Sequence, residues 1–379
     1  MIATIIIVII IAYLIVIGSL TYGFDKVEEF QLQDLKPKTK FSIVIPFRNE
    51  AENLTKLLNS ISKLNYPKDL FEVIFVDDES DDGSADIINN LLNTKDFTRT
   101  DNIKIIQNNR VSNSPKKDAI TSAIEIANNE WIITTDADCI LPKYWLDTFD
   151  ELIQTQQPNC IVAPVSYYGQ TSFFNRFQTL DVLSLQGATI GGFGLQKPFL
   201  CNGANFAYRK SIFRELKGFE GNAKIASGDD IFLLEKLKKH NSKKISYLKN
   251  PKAIVHTQPV SSLKQLINQR LRWASKTSRN PNWFSKLLGL VVFLANLVCL
   301  SLVPLLVFNL ISARMTVSLL VIKFGIDFLL LFKTARFFKQ ETLLLSFLFS
   351  SFLYPFFSVY IVVLSLFKPY LWKGRTFKK

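Results

Sequence analysis

The chain has 379 residues, 48% of them hydrophobic and 32 of them Phe, which suits one sizeable α/β domain plus a membrane region and excludes an ordinary soluble protein. Its 45 Lys and Arg outweigh 32 Asp and Glu by +13, but the cations fall in short runs beside apolar segments: Lys264 to Arg279, Arg314, Lys333 to Lys339 and Lys368 to Lys379. That placement fits anionic headgroups rather than nucleic acid, and four cysteines without CxxC spacing, with only two histidines, exclude a zinc module and indicate reduced thiols.

Residues 1–22 carry no charged side chain and are followed by Lys26, Lys36, Lys38 and Lys40. No basic n-region or clear cleavage site is present, so an uncleaved anchor is expected rather than a removed leader. The positive-inside rule then puts the next domain in the cytosol.

From Phe41 the pattern alternates. Apolar runs predict strands at 41–46, 71–78, 102–106, 131–138 and 159–168. Helical spacing lies between them, in Leu54, Leu57, Leu58 and Ile61, in Ile88, Leu91 and Leu92, in Ile120, Ala123, Ile124 and Ala127, and in Leu146, Phe149, Leu152 and Ile153. Such a βαβ series implies an α/β fold with a mostly parallel sheet. Acidic and polar clusters follow the first, second and fourth strands, and open α/β sheets bind ligands at that edge.

Beyond residue 260 the character changes. Leu263, Leu266, Ile267 and Leu271 share one side of a helix interleaved with Lys264, Arg270, Arg272 and Lys276, as in a membrane-interface helix or a basic surface helix. Apolar segments follow at about 287–311, 315–332 and 342–367. The middle one holds Lys323 and Asp327, four apart and able to pair on a helix. The expected organisation is a membrane helix at 1–22, a catalytic domain at 23–260, an interface helix at 261–283, and about three membrane helices with a basic tail at 284–379. Four spans would place that tail opposite the catalytic domain, whereas its charge favours the same side.

Six motifs occur in order: SIVIPFRNE (42–50), VDDESDDGS (76–84), TTDADC (134–139), CNGANFAYRK (201–210), SGDD (227–230) and QRLRW (269–273). Together they resemble the membrane-bound family 2 glycosyltransferases of GT-A fold, the group containing cellulose, hyaluronan and chitin synthases and ceramide glucosyltransferase. The resemblance implies a GT-A nucleotide-sugar-binding domain between α-helical membrane segments. It also implies an inverting transfer from a nucleoside-diphosphate sugar, with uridine diphosphate as the expected carrier. One amino-terminal and about three carboxy-terminal spans make a thin wall for a polymer channel, so the expected acceptor is a lipid or lipid-linked hydroxyl at the cytosolic face of a bacterial cell membrane. A processive polysaccharide synthase, an inactive scaffold or nucleotide-sugar sensor, and a nucleotidyltransferase are the competing readings.

By that resemblance, Pro46, Arg48 and Glu50 line the base and ribose, and Asp77 with Asp78 recognises the nucleoside. Asp138 binds Mg2+ or Mn2+, and Asp136 faces the nucleotide-sugar. A hard divalent cation suits clustered carboxylate and phosphate oxygens. Lys116 or Lys117 approaches the nucleotide, with Lys116 in better register. Asn202, Gly203 and Asn205 form an acceptor-side loop. Asp230 is the general base, with Asp229 beside it tuning its charge. Gln269 contributes hydrogen bonds, Arg272 stabilises the diphosphate, and Trp273 offers the acceptor a flat face. Asp81 and Asp82 read as an acidic turn before Gly83. Ser-Gly-Asp-Asp also reads as a helix start, and His256 as either an extra metal ligand or a loop histidine.

Overall fold

The computed structural model describes residues 1–92, 102–169, 172–222, 225, 227–279, 281–373 and 375–377. Lys378 and Lys379 of the basic tail lie outside them. The chain divides into two compact units, one of residues 28–168 and 200–258, the other of residues 1–27, 169–199 and 259–379.

In the first unit, β1 (Phe41–Phe47), β2 (Phe71–Asp77), β3 (Ile103–Gln107) and β4 (Trp131–Thr134) run parallel. The sheet continues through β5 (Cys160–Val162), β7 (Phe206–Arg209) and β8 (Ile245–Tyr247), in the order β3-β2-β1-β4-β7-β5-β8. Only β7 is antiparallel to its neighbours, so the sheet is mostly parallel as expected. Its central strands are buried on both faces, which explains their largely apolar runs, and the two polar interruptions, Ser42 and Glu72, bond to each other at 2.6 Å. The predicted apolar faces of α2 (Ala51–Ser62), α4 (Pro115–Ile126) and α5 (Trp145–Gln156) are buried. Helix α3 (Ser84–Leu92) buries Ile88 while its Leu91 and Leu92 pack against the core edge.

Two predicted strands differ from the structure. The fourth stops at Thr134, because the Cys139 amide turns back to the Asp136 carbonyl at 3.2 Å. The fifth is cut at Ala163 and Pro164, since Pro has no amide to donate. Its second half, β6 (Val165–Tyr167), leaves the sheet and pairs with β9 (Val255–Thr257).

The second unit is helical. Among the described residues, four helices are long and apolar enough to cross a membrane: α1 (Ile2–Lys26), α10 (Trp283–Val307), α11 (Ala313–Phe337), and Glu341–Phe367, whose α-helical part is α12 (Phe347–Phe367). With them are α6 (Phe173–Gly194), α9 (Leu263–Arg279), and an antiparallel hairpin of β10 (Tyr370–Trp372) and β11 (Arg375–Phe377). Within the stretch 23–260, residues 169–199 therefore belong with the hydrophobic helices.

Helix α6 meets α1 backbone to backbone. A Cβ on Gly191 would fall 2.3 Å from the Leu20 carbonyl oxygen, and one on Gly23 would fall 2.2 Å from that of Gly191. Small residues at such crossings let helices gain dispersion contact without a hydrophobic drive. Lys323 and Asp327 pair at 2.8 Å as their spacing predicted, and the Tyr13 hydroxyl of α1 donates to Asp327 at 2.6 Å.

Candidate functional site

The parallel register brings the ends of β1, β2 and β3 side by side, with Phe47 opposite Asp77 and Asp77 opposite Gln107. Backbone pairing continues one residue further, from the Asp78 amide to the Phe47 carbonyl and from the Asn108 amide to the Asp77 carbonyl, both at 2.9 Å. The Asp77 carboxylate accepts from the Ser80 amide at 2.9 Å and from Gln107 at 3.3 Å. The Asp78 carboxylate accepts from Asn108 at 2.7 Å and from the Arg110 guanidinium at 2.6 Å. Arg48 donates to the carbonyls of Asp78 and Glu79 at 2.6 and 2.9 Å, and Arg110 also holds the Glu79 carboxylate at 2.7 Å. Burial opposes the Arg110 charge, but Asp78 and Glu79 outweigh it and raise its pKa.

The motif pattern missed Asn108 and Arg110. Their visible signal is two polar side chains just past β3, on the same edge as the acids. The loops they brace hold Asn49 and Glu79 at φ of 53° and 59°, a left-handed backbone that non-glycine residues keep only when neighbours enforce it. Pro46 lies in β1, and Glu50 precedes α2 with its carboxylate accepting from Asn53 at 2.7 Å. Asp82 accepts from the Ser84 amide at 3.0 Å and the Ala51 amide at 3.0 Å. Slight burial acts against these bonds, yet they lower its pKa. Asp82 is thus a turn-maker, as read from the sequence.

A second cluster forms around Lys116, in the first turn of α4. Its ammonium lies 2.6 Å from Asp136 and 3.5 Å from Asp229. Burial disfavours the charge, but Asp136, Asp229 and Asp230 more than compensate and hold its pKa far above the usual lysine value. Lys117 points elsewhere: its ammonium donates to the carbonyls of Asn222 and Ile225 at 2.8 Å each and sits over the Phe232 ring. Of the two lysines, Lys116 is the one that reaches Asp136 and Asp229.

Asp229 and Asp230 open α8 (Asp229–Asn241), with Gly228 before them at φ 86°. The Ser-Gly-Asp-Asp segment thus starts a helix, whose dipole favours acids there. The Gly203 amide donates to Asp230 at 3.3 Å, and a Cβ on Gly203 would come 3.0 Å from Asp229 and 3.5 Å from the Lys116 ammonium. Asn202 starts the same turn, its side chain accepting from the Ala204 amide at 3.0 Å.

Asn205 is a correction. The loop pattern assigned it to the acceptor, but it is fully buried. Its amide nitrogen donates to the Pro164 and Ala253 carbonyls at 2.8 Å each, and its oxygen accepts from the Trp145 indole at 2.9 Å. It braces the sheet beneath the turn.

Asp138 lies in the turn after β4, with the Cys139 thiol 3.7 Å from its carboxylate. His256 is a strand residue in β9, not a loop histidine, and its backbone pairs with that of Ile140. Burial lowers its pKa, favouring neutral imidazole, and its Nδ1 has no hydrogen-bond partner among the described residues. No group of three His, Cys, Asp or Glu side chains among those residues is close enough to hold a metal ion. Carboxylate oxygens such as those of Asp136 and Asp138 are the donor type that a hard divalent cation takes.

In the helical unit, α9 carries Gln269, Arg272 and Trp273. Arg270, which the motif leaves unspecified, is buried, paired with Asp181 of α6 at 2.7 Å and hydrogen-bonded to Gln269. Its guanidinium lies 4.1 Å from the centre of the Trp273 ring, so a cation already covers one face of that indole.

Residues 42–217 match the family described as Glycosyl transferase family 2, and residues 131–372, well over half the chain, match Glycosyl transferase family group 2. The chain belongs to the family 2 glycosyltransferases. Among relatives, the Bacillus subtilis protein named probable glycosyltransferase YdaM is 27% identical over 64% of this chain and 56% of its own length. Poly-beta-1,6-N-acetyl-D-glucosamine synthase of Staphylococcus epidermidis is 24% identical over 68% of this chain and 61% of its own. The glycosyltransferase thus spans little more than half the length of these relatives. A mannosyltransferase of Pyrobaculum calidifontis, solved with GDP-Man and Mn2+, shares 16% identity over 93% of this chain and 99% of its own, at a TM-score of 0.59. That likeness shows the GT-A fold.

Proposed function

We propose that the protein transfers a sugar from a nucleoside-diphosphate sugar, a uridine diphosphate-sugar by preference, to the hydroxyl of a lipid or lipid-linked acceptor at the cytosolic membrane face, with inversion. The observation that carries this reading is the meeting of Asp136, Asp229 and Lys116 at one sheet edge beside Gly203 and Asp230. In this reading Pro46, Arg48, Glu50, Asp77 and Asp78 form the nucleoside pocket, with Asn108 and Arg110 holding the last in place. Lys116 and Arg272 balance the diphosphate charge. Asn202, Gly203, Gln269 and Trp273 border the acceptor.

Asp138 would hold Mg2+ or Mn2+, which supplies positive charge to the departing diphosphate when bound. The Pyrobaculum calidifontis neighbour, solved with Mn2+, supports that cofactor. Asp230 takes the acceptor's hydroxyl proton as its oxygen bonds to the anomeric carbon. The bond from that carbon to the phosphate oxygen breaks, and its electron pair leaves with the nucleoside diphosphate. One displacement inverts the centre and needs no covalent sugar–enzyme intermediate.

The deciding experiment offers a panel of nucleotide-sugars to purified membranes and identifies the labelled product by mass spectrometry, with free nucleoside diphosphate as co-product. Asp230→Asn should keep nucleotide binding and lose transfer; unchanged turnover refutes the base assignment. The polymer-making relative in Staphylococcus epidermidis favours a second reading, a processive synthase. Product sizing separates the two, since a ladder means polymer and a single band means one transfer.

A further inference from the structure

Helix α6 holds the entry and the middle of α9 with two side chains of one face. Gln178, fully buried, pairs with the Val260 backbone in both directions. Its amide nitrogen donates to the Val260 carbonyl at 3.0 Å, and its oxygen accepts from the Val260 amide at 3.1 Å. Three positions on, and so on the same side of α6, the Asp181 carboxylate accepts from Arg270 at 2.7 Å. Val260 precedes the first turn of α9, and Arg270 lies about two turns into it. All four residues belong to the helical unit.

The Asp181 and Arg270 side chains are each only 6% exposed. Taking two charges out of water costs about as much as their attraction returns, so an apolar pair of similar volume would hold the two helices as firmly. An apolar pair lacks direction. An Arg fork is planar and fixes its orientation as well as its position. Here the Arg270 Nε donates to Asp181, Nη1 donates to Gln269, and the guanidinium lies 4.1 Å from the centre of the Trp273 ring, three positions further along the helix. Arg270 thus touches both Gln269 and Trp273 of the Gln-x-x-Arg-Trp motif, while its own place is set from α6.

We infer that Asp181, with Gln178, positions the acceptor-side motif through Arg270. The carboxylate sets the guanidinium plane, and that plane sets the Gln269 side chain and the Trp273 indole. The cation covers one indole face, and the acceptor meets the other. Asp181 and Gln178 are positioning residues that touch no substrate themselves. The inference rests on the reading of Gln269 and Trp273 as bordering the acceptor.

The test uses the full chain and two readouts. The first is acrylamide quenching of the Trp273 emission, isolated by subtracting the signal of the Trp273→Phe chain. The second uses purified membranes supplied with the labelled nucleotide-sugar that the panel selects, and compares sugar carried into the lipid extract with sugar hydrolysed to the free form. Asp181→Asn should raise the quenching and cut the transferred share about tenfold, and Asp181→Glu should restore part of both. Arg270→Met, alone or combined with Asp181→Leu, should show the same tenfold loss of share, because one residue acts through the other. The combined variant should melt within a few degrees of the native chain. A native transferred share in the combined variant means that the pair only packs, and overturns the inference. Native quenching in Asp181→Asn overturns it as well, and losses from the two sites that add overturn the route through Arg270. If Trp273→Ala keeps the native share, the acceptor reading falls, and the acrylamide result alone decides whether Asp181 positions the indole.

Discussion

The Lys116 ammonium and the Asp136 carboxylate stand 2.6 Å apart, joining the start of α4 to the turn after β4. Lys117, one residue on, serves carbonyl groups away from them. The neighbours should therefore fail differently. Lys116→Met should lower kcat/KM about 100-fold, the scale for losing one preorganised charge partner, with little change in melting temperature. Lys117→Met should leave two part-buried carbonyls without that donor and cost about 1–3 kcal/mol of stability. Steady-state kinetics and thermal unfolding of both variants check this.

Gly203 leaves little room for a side chain. An alanine methyl would lie 3.0 Å from the Asp229 carboxylate, which would have to shift, and in ordinary contact with the Lys116 ammonium at 3.5 Å. Gly203→Ala should cut turnover by about tenfold or more, since small displacements in such a constellation are costly, while the unfolding temperature stays within a few degrees. Equal losses of activity and stability would count against a local effect.

Asn205 makes three buried hydrogen bonds to partners in separate segments. Asn205→Ala should destabilise the α/β unit by about 3 kcal/mol or more, because Trp145 and two carbonyls lose their partner at once. Denaturant titration followed through tryptophan fluorescence measures the loss.

Glu72 supplies a pH signature. Burial raises its pKa, but bonds from Ser42, the Asn128 amide and Lys104 prevail and lower it below the ordinary glutamate value. The unfolded chain therefore binds this proton more readily than the folded one. Its contribution is present above about pH 4.3, the unfolded value, and is lost as pH falls through the lower folded pKa. Glu72→Gln should reduce stability at pH 7 and flatten the decline below pH ~4.5. Parallel melting curves between pH 3 and 7 test it.

Much of this architecture is legible in the residues. Buried strands between helices announce themselves by apolar runs such as Ile43 to Phe47, and the ordered acidic motifs locate the ligand edge. Partnership over long distance is less visible. Helix α6 buries Gln178, Thr179 and Asp181 as well as Leu180 and Leu183, so its periodicity names no single face. Its glycines acquire meaning only beside α1. Asn205 resembles its half-buried neighbour Asn202 in type, and only the bonds to Trp145 and Pro164 separate a brace from a turn residue. Arg270 was masked by the motif around it, because the acid that neutralises it lies 89 residues earlier.

The bond between Tyr13 and Asp327 spans 314 residues of chain. At about 5–20 residues per second, roughly 15–60 s of synthesis separate the two groups. During that interval the first helix resides in lipid with its hydroxyl awaiting a carboxylate not yet made. Helix α6 emerges midway and can engage the Gly23 crossing first, leaving the Asp327 contact to close the assembly. Translation rate and chain order thus become determinants of correct insertion, and a ribosome stalled after α6 should expose a half-built helical unit to membrane quality control.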